Sequence, residues 1–464
     1  MNYSEFVDRK LTTIAPTGIR GAIRLPEGLF DFQQSLTTWA LRRGRAALFA
    51  DTGLGKSRMQ AAWAAVVARE VGSVLILAPL AVAPQTVREA SNIGVAIQHV
   101  RDGSEVTVPR IYITNYDRLH RFDCSQFRAV VLDESSCIKH HGSRTFSELC
   151  EAFAHCDFRL PATATPAPND WTELGTHAEF LGICTRQEML SEYFLHDGGE
   201  TQTWRLKGHA QGQFWRWVAT WAALVRNPAD LGFDGSRYIL PPLVTHQHVI
   251  AAPADAAQRI GQLFAMEAQT LSERRTARRA SIDERVSECA ALVNGDSEQW
   301  LVWCDLNDES GMLTKAIPGA VEVKGADDPD HKEKALLDFA DAKIRVLVSK
   351  PSIAGWGVNF QSCARIAFVG VTDSFEAFYQ AVRRCWRFGQ LREVHVHIFS
   401  SELEGAVVAN IKRKGVDADA MADALVAETR AAVMAATDGQ KRITNTYAAS
   451  AAVMAPKWLK SEAA

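Results

Sequence analysis

The sequence predicts an α/β chain of two parallel-sheet domains with a helical insertion between them. Three observations predict it. Short apolar runs alternate with helix-length stretches from residue 46 to 166, and the same rhythm resumes from Gln299 to Phe399. Between them lies a helical, aromatic segment from Trp171 to about Leu240, closed by Pro241-Pro242. At 464 residues the chain exceeds one ordinary core. The boundaries read as 1–170 for the first domain, 171–290 for a helical insertion and linker, 291–415 for the second domain, and 416–464 for a helical or partly disordered tail.

In chain order, Ala46 to Phe49 is a buried-strand run that feeds the loop Ala50-Asp51-Thr52-Gly53-Leu54-Gly55-Lys56-Ser57, and Met59 to Val67 is the helical run leaving it. A loop entering a helix N-terminus offers backbone N–H groups to phosphate oxygens. Thr52, Gly53, Leu54 and Gly55 form the curl around the β-phosphate, Lys56 reaches the β/γ oxygens, and the Ser57 hydroxyl is a Mg²⁺ ligand. Ala50 stands where this motif has its first glycine. The strands Val74 to Leu77, Arg110 to Ile113 and Val130 to Leu132 follow, and the last ends in Asp133-Glu134. Carboxylates at the carboxyl edge of a parallel sheet face the ligand crevice. Asp133 is expected to hold Mg²⁺, and Glu134 to orient and deprotonate the attacking water. The fifth strand is Phe158 to Leu160.

The second domain takes Trp300 to Cys304, Ala320 to Val323, Arg345 to Val348, Arg365 to Val369 and Val394 to Phe399 as its strands and has no phosphate loop. A composition of 47% hydrophobic and 23% charged residues is that of a globular protein. The net charge of -3 gives no global basic field, so nucleic acid must be met in a local groove. Nine cysteines without a Cys-x-x-Cys pair read as reduced thiols. No signal peptide and no membrane span are expected, so the chain is expected to stay in the cytoplasm of the cell that makes it. Trp204, Phe214, Trp215, Trp217 and Trp221 are read as core rather than a base-stacking platform, on the i, i+4 spacing of Trp217 and Trp221, with Ala222, Leu224 and Val225 continuing the helix face. Arg274, Arg275, Arg278 and Arg279 fit a phosphate-tracking helix or a salt-bridged one equally well.

These motifs together resemble superfamily 2 helicases and translocases of the Snf-type, remodeller-like branch, including short helicases often encoded by phages. The matching segments run in order from Phe32 to Phe399. Phe32-Gln33 with Trp39 resembles the glutamine motif, which implies that Gln33 reads the adenine edge. Ala78-Pro79-Leu80 and Ile113-Thr114-Asn115-Tyr116 resemble loops that grip one nucleic-acid strand. Asp133-Glu134-Ser135-Ser136 corresponds to the magnesium motif, where the family more often has Ala-His after Asp-Glu. Thr163-Ala164-Thr165-Pro166 is similar to the coupling motif, with Thr163 and Thr165 linking the nucleotide site to domain movement.

Gly355-Trp356-Gly357-Val358-Asn359-Phe360 resembles motif five, whose loop touches nucleic acid through Gly355 and Asn359 and nucleotide through Gly357. Gln380, Arg384, Arg387, Gly389 and Gln390 match motif six. Gln380 is there a coupling residue, and Arg384 and Arg387 are the arginine fingers. Arg383 and Trp386 stand where the branch has Asp and His, so neither inherits a role. The resemblance implies two RecA-like domains that hydrolyse ATP with Mg²⁺ to move along DNA, duplex or single-stranded, through backbone contacts. A separate protein partner would supply specificity. RNA as the track, and a slow nucleotide-gated clamp or assembly subunit, are the alternatives.

Overall fold

The structure, a computed structural model, describes residues 15–80, 82–108, 110–196, 204–251, 271–354, 359–372 and 374–437. The first sheet has seven strands in the order β3-β4-β2-β5-β6-β1-β9. They are β1 (Ala47–Ala50), β2 (Val74–Ala78), β3 (Gln98–His99), β4 (Ile111–Asn115), β5 (Ala129–Asp133), β6 (Phe158–Thr163) and β9 (Ala222–Val225), and every pairing is parallel. The central strands β1, β2 and β5 read as near-continuous apolar runs because both faces are covered. Leu48, Ile76, Val131 and Leu160 enter one core cluster, while Phe49, Leu75, Leu77, Val130 and Leu132 enter the other.

The second sheet has six strands in the order β10-β15-β14-β11-β13-β12. Here β10 is Leu243–Ile250, β11 Trp300–Cys304, β12 Ala320–Val323, β13 Val346–Ser349, β14 Arg365–Val369 and β15 Val394–Ser401, again all parallel. The fold expected from the sequence, two parallel-sheet α/β domains, is the one observed. A small antiparallel hairpin pairs β7 (Phe194–His196) with β8 (Trp204–Leu206).

The boundaries need correction. Residues 171–290, read as a helical insertion and linker, hold β9 of the first sheet and β10 of the second, so both sheets reach into that segment. The helix expected to run on through Trp221 and Val225 stops at Ala219, and Ala222–Val225 turns back as a strand beside β1. Four apolar residues buried on all sides fit a covered edge strand and a helix alike, and period alone cannot separate them. The core reading of the aromatics holds for Phe214, Trp215 and Trp221, all buried. Of the four arginines, Arg278 is turned inward, 2.9 Å from Glu404 and 2.6 Å from Asp305, while Arg275 and Arg279 are exposed.

The segment read as a tail beginning at 416 is part of a helix, Gly405–Thr437, that starts in the second domain and ends on the first. Its Val407, Val408 and Ile411 belong to the second domain's core, and its Met421, Ala422 and Leu425 to the first's. Thr429 Oγ1 accepts from the β9 backbone at Leu224, 3.1 Å, and the Trp171 indole donates to the carbonyl of Asp417, 3.2 Å. At 33 residues the helix is about 50 Å long, enough to brace one lobe on the other. Residues 438–464 lie outside the described residues, as does any reading of them. Among the described residues no helix is long and apolar enough to cross a membrane.

Buried histidines give the fold a pH dependence. Burial lowers His177 to about 4, against a backbone hydrogen bond at Glu173 that opposes it. Burial lowers His397 to about 3, helped by its neighbours His246 and His248. From the ordinary value of 6.5 down towards 4, the unfolded chain binds protons that these folded imidazoles refuse, so stability falls as pH falls. The urea midpoint is expected to drop across that window, and His177→Gln with His397→Gln to flatten the drop.

Candidate nucleotide site

Strand β1 delivers the chain into the candidate phosphate loop at the sheet's carboxyl edge, and the helix Lys56–Glu70 leaves it. Gly53 and Gly55 have φ of 90° and 79°, in the region where a side chain is strained. Gly55 is needed for a second reason: a Cβ there would lie 2.4 Å from the Gln33 amide nitrogen. That closeness lets Gln33 Nε2 donate to the carbonyl of Leu54 at 2.9 Å, while its Oε1 accepts from the Phe30 backbone at 3.0 Å. Lys56 Nζ donates to the Ala50 carbonyl at 2.8 Å, folded back under the loop. Burial pulls the Lys56 ammonium below its ordinary value, against the pull of Glu134, Asp51 and Asp133.

The carboxylates stand opposite, at the end of β5. Asp133 Oδ1 accepts from Gln60 Nε2 of the loop's own helix at 2.7 Å. Glu134 follows in the left-handed region, φ 51°, and is one of two non-glycine residues with positive φ among those described. Such strain is held only where the surroundings over-determine it. Burial raises both carboxyls; the Gln60 hydrogen bond and Lys56 oppose it at Asp133, and Lys56 opposes it at Glu134. Thr163 Oγ1, at the end of β6, donates to Glu134 Oε2 at 3.4 Å and accepts from the backbone of Thr165 at 3.1 Å.

The second domain closes the cleft. The helix Phe375–Val382 and the turn after it bring Gln380, Arg384 and Arg387 onto the same cavity as Gln33, Thr52, Gly53, Gly55, Lys56, Ser57, Asp133 and Glu134. Its volume is 430 Å³, within the range of small-ligand sites. Burial pulls Arg384 down to about 10, against Glu134, and Arg387 down to about 9, with Arg384 and Arg383 adding to the depression. Cations desolvated this far without full compensation favour an anion beside them.

The donor set fits a hard divalent ion bound through few side chains. The Ser57 hydroxyl and the Asp133 carboxylate supply oxygen on the cleft wall, and no group of three His, Cys, Asp or Glu among the described residues could hold a metal alone. Such a ligand set suits Mg²⁺ bound with phosphates and water.

A second cavity of 560 Å³ adjoins the first, sharing Glu134 and Gln380 as walls. Pro79, Leu80 and Asn115 line it, with Lys139 of the first domain ion-paired to Glu376 of the second. The residues expected to touch nucleic acid thus divide. Asn359 lies instead on the first cavity, where its Oδ1 accepts from Arg387 Nη1. Gly355 and Gly357 lie outside the described residues. Leu54 is buried beneath the loop rather than lining the cleft. Thr165 faces a third cavity behind the loop.

Sequence reasoning missed several residues of the cleft. Tyr238 lies in the segment read as linker and stacks on Phe388 with ring centroids 4.7 Å apart, both on the cleft wall. Asp51, Tyr379 and Arg383 bind the two lobes together at the start of the loop. Nothing local to the sequence marks an acid and an arginine 332 positions apart as partners.

Residues 284–389 match the helicase conserved C-terminal domain, which bears out the family resemblance over most of the second domain. No curated protein matches the chain. Among solved structures, the chain is similar to the Sulfolobus solfataricus SWI2/SNF2 ATPase core in complex with dsDNA, at 16% identity and a TM-score of 0.41, covering 88% of this chain and 96% of that one. It is also similar to the ATP-dependent Type ISP restriction-modification enzyme LlaBIII bound to DNA, at 12% identity and a TM-score of 0.52. That match covers 85% of this chain and 30% of LlaBIII, so the chain spans under a third of that enzyme. The fold is that of tandem RecA-like domains.

Proposed function

We infer that this chain is a superfamily 2 helicase of the Snf-type branch that hydrolyses ATP between its two lobes and uses the stroke to move along DNA, a reading supported by the helicase conserved C-terminal domain matched at residues 284–389. One observation carries the reading: Lys56 and Glu134 of one lobe and Arg384 and Arg387 of the other line a single cleft. A pure clamp needs no transition-state arginines, and a phosphoryl transition state does. In this reading Gln33 selects adenine, Thr52 to Ser57 hold the phosphates, and Glu134 takes the water's proton. Mg²⁺, held through Ser57 and Asp133, would neutralise charge on the phosphates. The shared wall of Glu134 and Gln380 between the two cavities supports coupling of hydrolysis to a strand gripped near Pro79, Leu80 and Asn115. LlaBIII, bound to DNA in its structure, supports DNA over RNA as the track. A partner protein would choose where the motor loads.

The test is the ATPase rate with single-stranded DNA, duplex DNA and RNA at 50 and 200 mM salt. Stimulation by DNA that weakens steeply between the two salts is expected, because backbone contacts release counterions. Equal stimulation by RNA would move the track to RNA. A rate indifferent to all three polymers would leave only the clamp.

A further inference from the structure

Arg383 precedes the proposed finger Arg384 by one residue and makes a different set of contacts. It caps the helix Phe375–Val382, where successive side chains diverge by about 100°. Arg383, Arg384 and Arg387 all line the cleft, and of the three it is the Arg383 guanidinium that is hydrogen-bonded to the first residues of the loop. Its Nη2 lies 2.6 Å from Asp51 Oδ2 and donates to the Thr52 carbonyl at 3.2 Å, and its Nε donates to Thr52 Oγ1. Tyr379, one helical turn earlier, donates from its hydroxyl to Asp51 Oδ1 at 2.6 Å. Both carboxylate oxygens of Asp51 are therefore held by the second domain. The guanidinium also lies 4.9 Å from the Trp386 ring, a distance at which the cation and the ring attract. Arg383 is 4% exposed, so the contact is internal to the closed lobes.

A planar fork that binds a carboxylate, a carbonyl and a hydroxyl at once fixes orientation as well as distance. Moving the second domain must therefore either drag Asp51 and Thr52 with it or break four hydrogen bonds, the one from Tyr379 included. Thr52 is the residue from which the loop begins its curl over Gly53, and Phe388 packs against that same curl, 2.9 Å from where a Gly53 Cβ would stand. The second domain thus grips the loop and presents the arginines from one rigid turn.

We propose that Arg383, with Tyr379, is a positioning residue for hydrolysis: its grip on Asp51 and Thr52 sets the phosphate loop and the two arginines at their working separation together. This rests on reading the cleft as an ATPase site. The departure of motif six from the branch's Asp, which gave the position no role, is on this view a replacement that pairs with the acid of the loop.

Steady-state ATPase kinetics on the full chain with its stimulating DNA test it. Arg383→Ala is expected to lower kcat by about 10²-fold, the scale of an ångström-level misplacement, with little change in the ATP KM. Arg383→Lys should recover part of the loss, since it keeps the charge on Asp51 and loses the contacts to Thr52. Asp51→Asn and Arg383→Gln should be non-additive, the double variant turning over no more slowly than the worse single one. Thermal melts with and without ADP identify a variant that has merely failed to fold, and the lysine variant and the cycle then decide. Additive losses in the cycle, or Arg383→Ala at the wild-type kcat, would overturn the proposal and leave the ATPase reading standing. A wild-type chain without turnover would overturn both.

Discussion

Arg387→Ala is expected to lower ATP turnover by about 10³- to 10⁵-fold, the contribution of an arginine that meets charge developing on a transferred phosphoryl group. The structure gives the physical reason for so large a loss. Arg387 is buried at the lobe interface, its Nη1 donates to Asn359, and its Nε has no hydrogen-bond partner among the described residues. Burial first, then Arg384 and Arg383, bring it down to about 9. Asp51 offsets only part of this, and both its carboxylate oxygens are already taken by Tyr379 and Arg383, so a triphosphate in the cleft would supply the missing anion. The partly compensated charge has a second readout. Arg387→Met keeps the packing of the stem and removes the poorly compensated charge, so the nucleotide-free protein should melt no lower than wild type. What it should lose is the rise in melting temperature on adding ATP. Turnover within about threefold of wild type would remove Arg387 from the chemistry.

The fold was legible wherever a strand was long, apolar on both faces and bounded by a turn. Val74 to Ala78 and Trp300 to Cys304 needed no more than that. Ala222–Val225 was not legible, because four buried residues directly after a buried helix carry no period of their own. Leu243–Ile250 follows Pro241-Pro242 and sits on the sheet edge, and its alternating exposed and half-buried pattern is a strand signal that the boundary reading passed over. The site divides in the same way. The loop and Asp133-Glu134 are each a run of adjacent letters, so their meeting at the sheet's carboxyl edge was readable from the sequence. The Arg383–Asp51 pair and the Tyr238–Phe388 stack depend on how two lobes and a linker close on each other, and only the folded chain brings them together.

Glu134→Gln is expected to slow turnover by about 10²- to 10⁴-fold, the usual contribution of a positioned general base, while ATP binding persists. The substitution keeps the shape of a side chain whose backbone is already held at φ 51°, so what changes is the proton acceptor. Burial raises the Glu134 carboxyl, with Asp133 pushing the same way and Lys56 opposing. A base must be ionised to act, so the wild-type rate should fall as pH falls through that raised value, an acid limb above the ordinary carboxylate range. Thr163 touches the same carboxylate and sits where β6 turns towards the interface, so the base is also the point at which the first lobe could sense what the second is doing. A Glu134→Gln protein loaded with ATP should therefore stay closed, measured as slow single-turnover hydrolysis with unimpaired equilibrium binding and a persistent interdomain fluorescence signal. Fast hydrolysis in that variant would assign the proton to another acceptor, with Asp133, the preceding residue on the same cleft wall, as the first candidate.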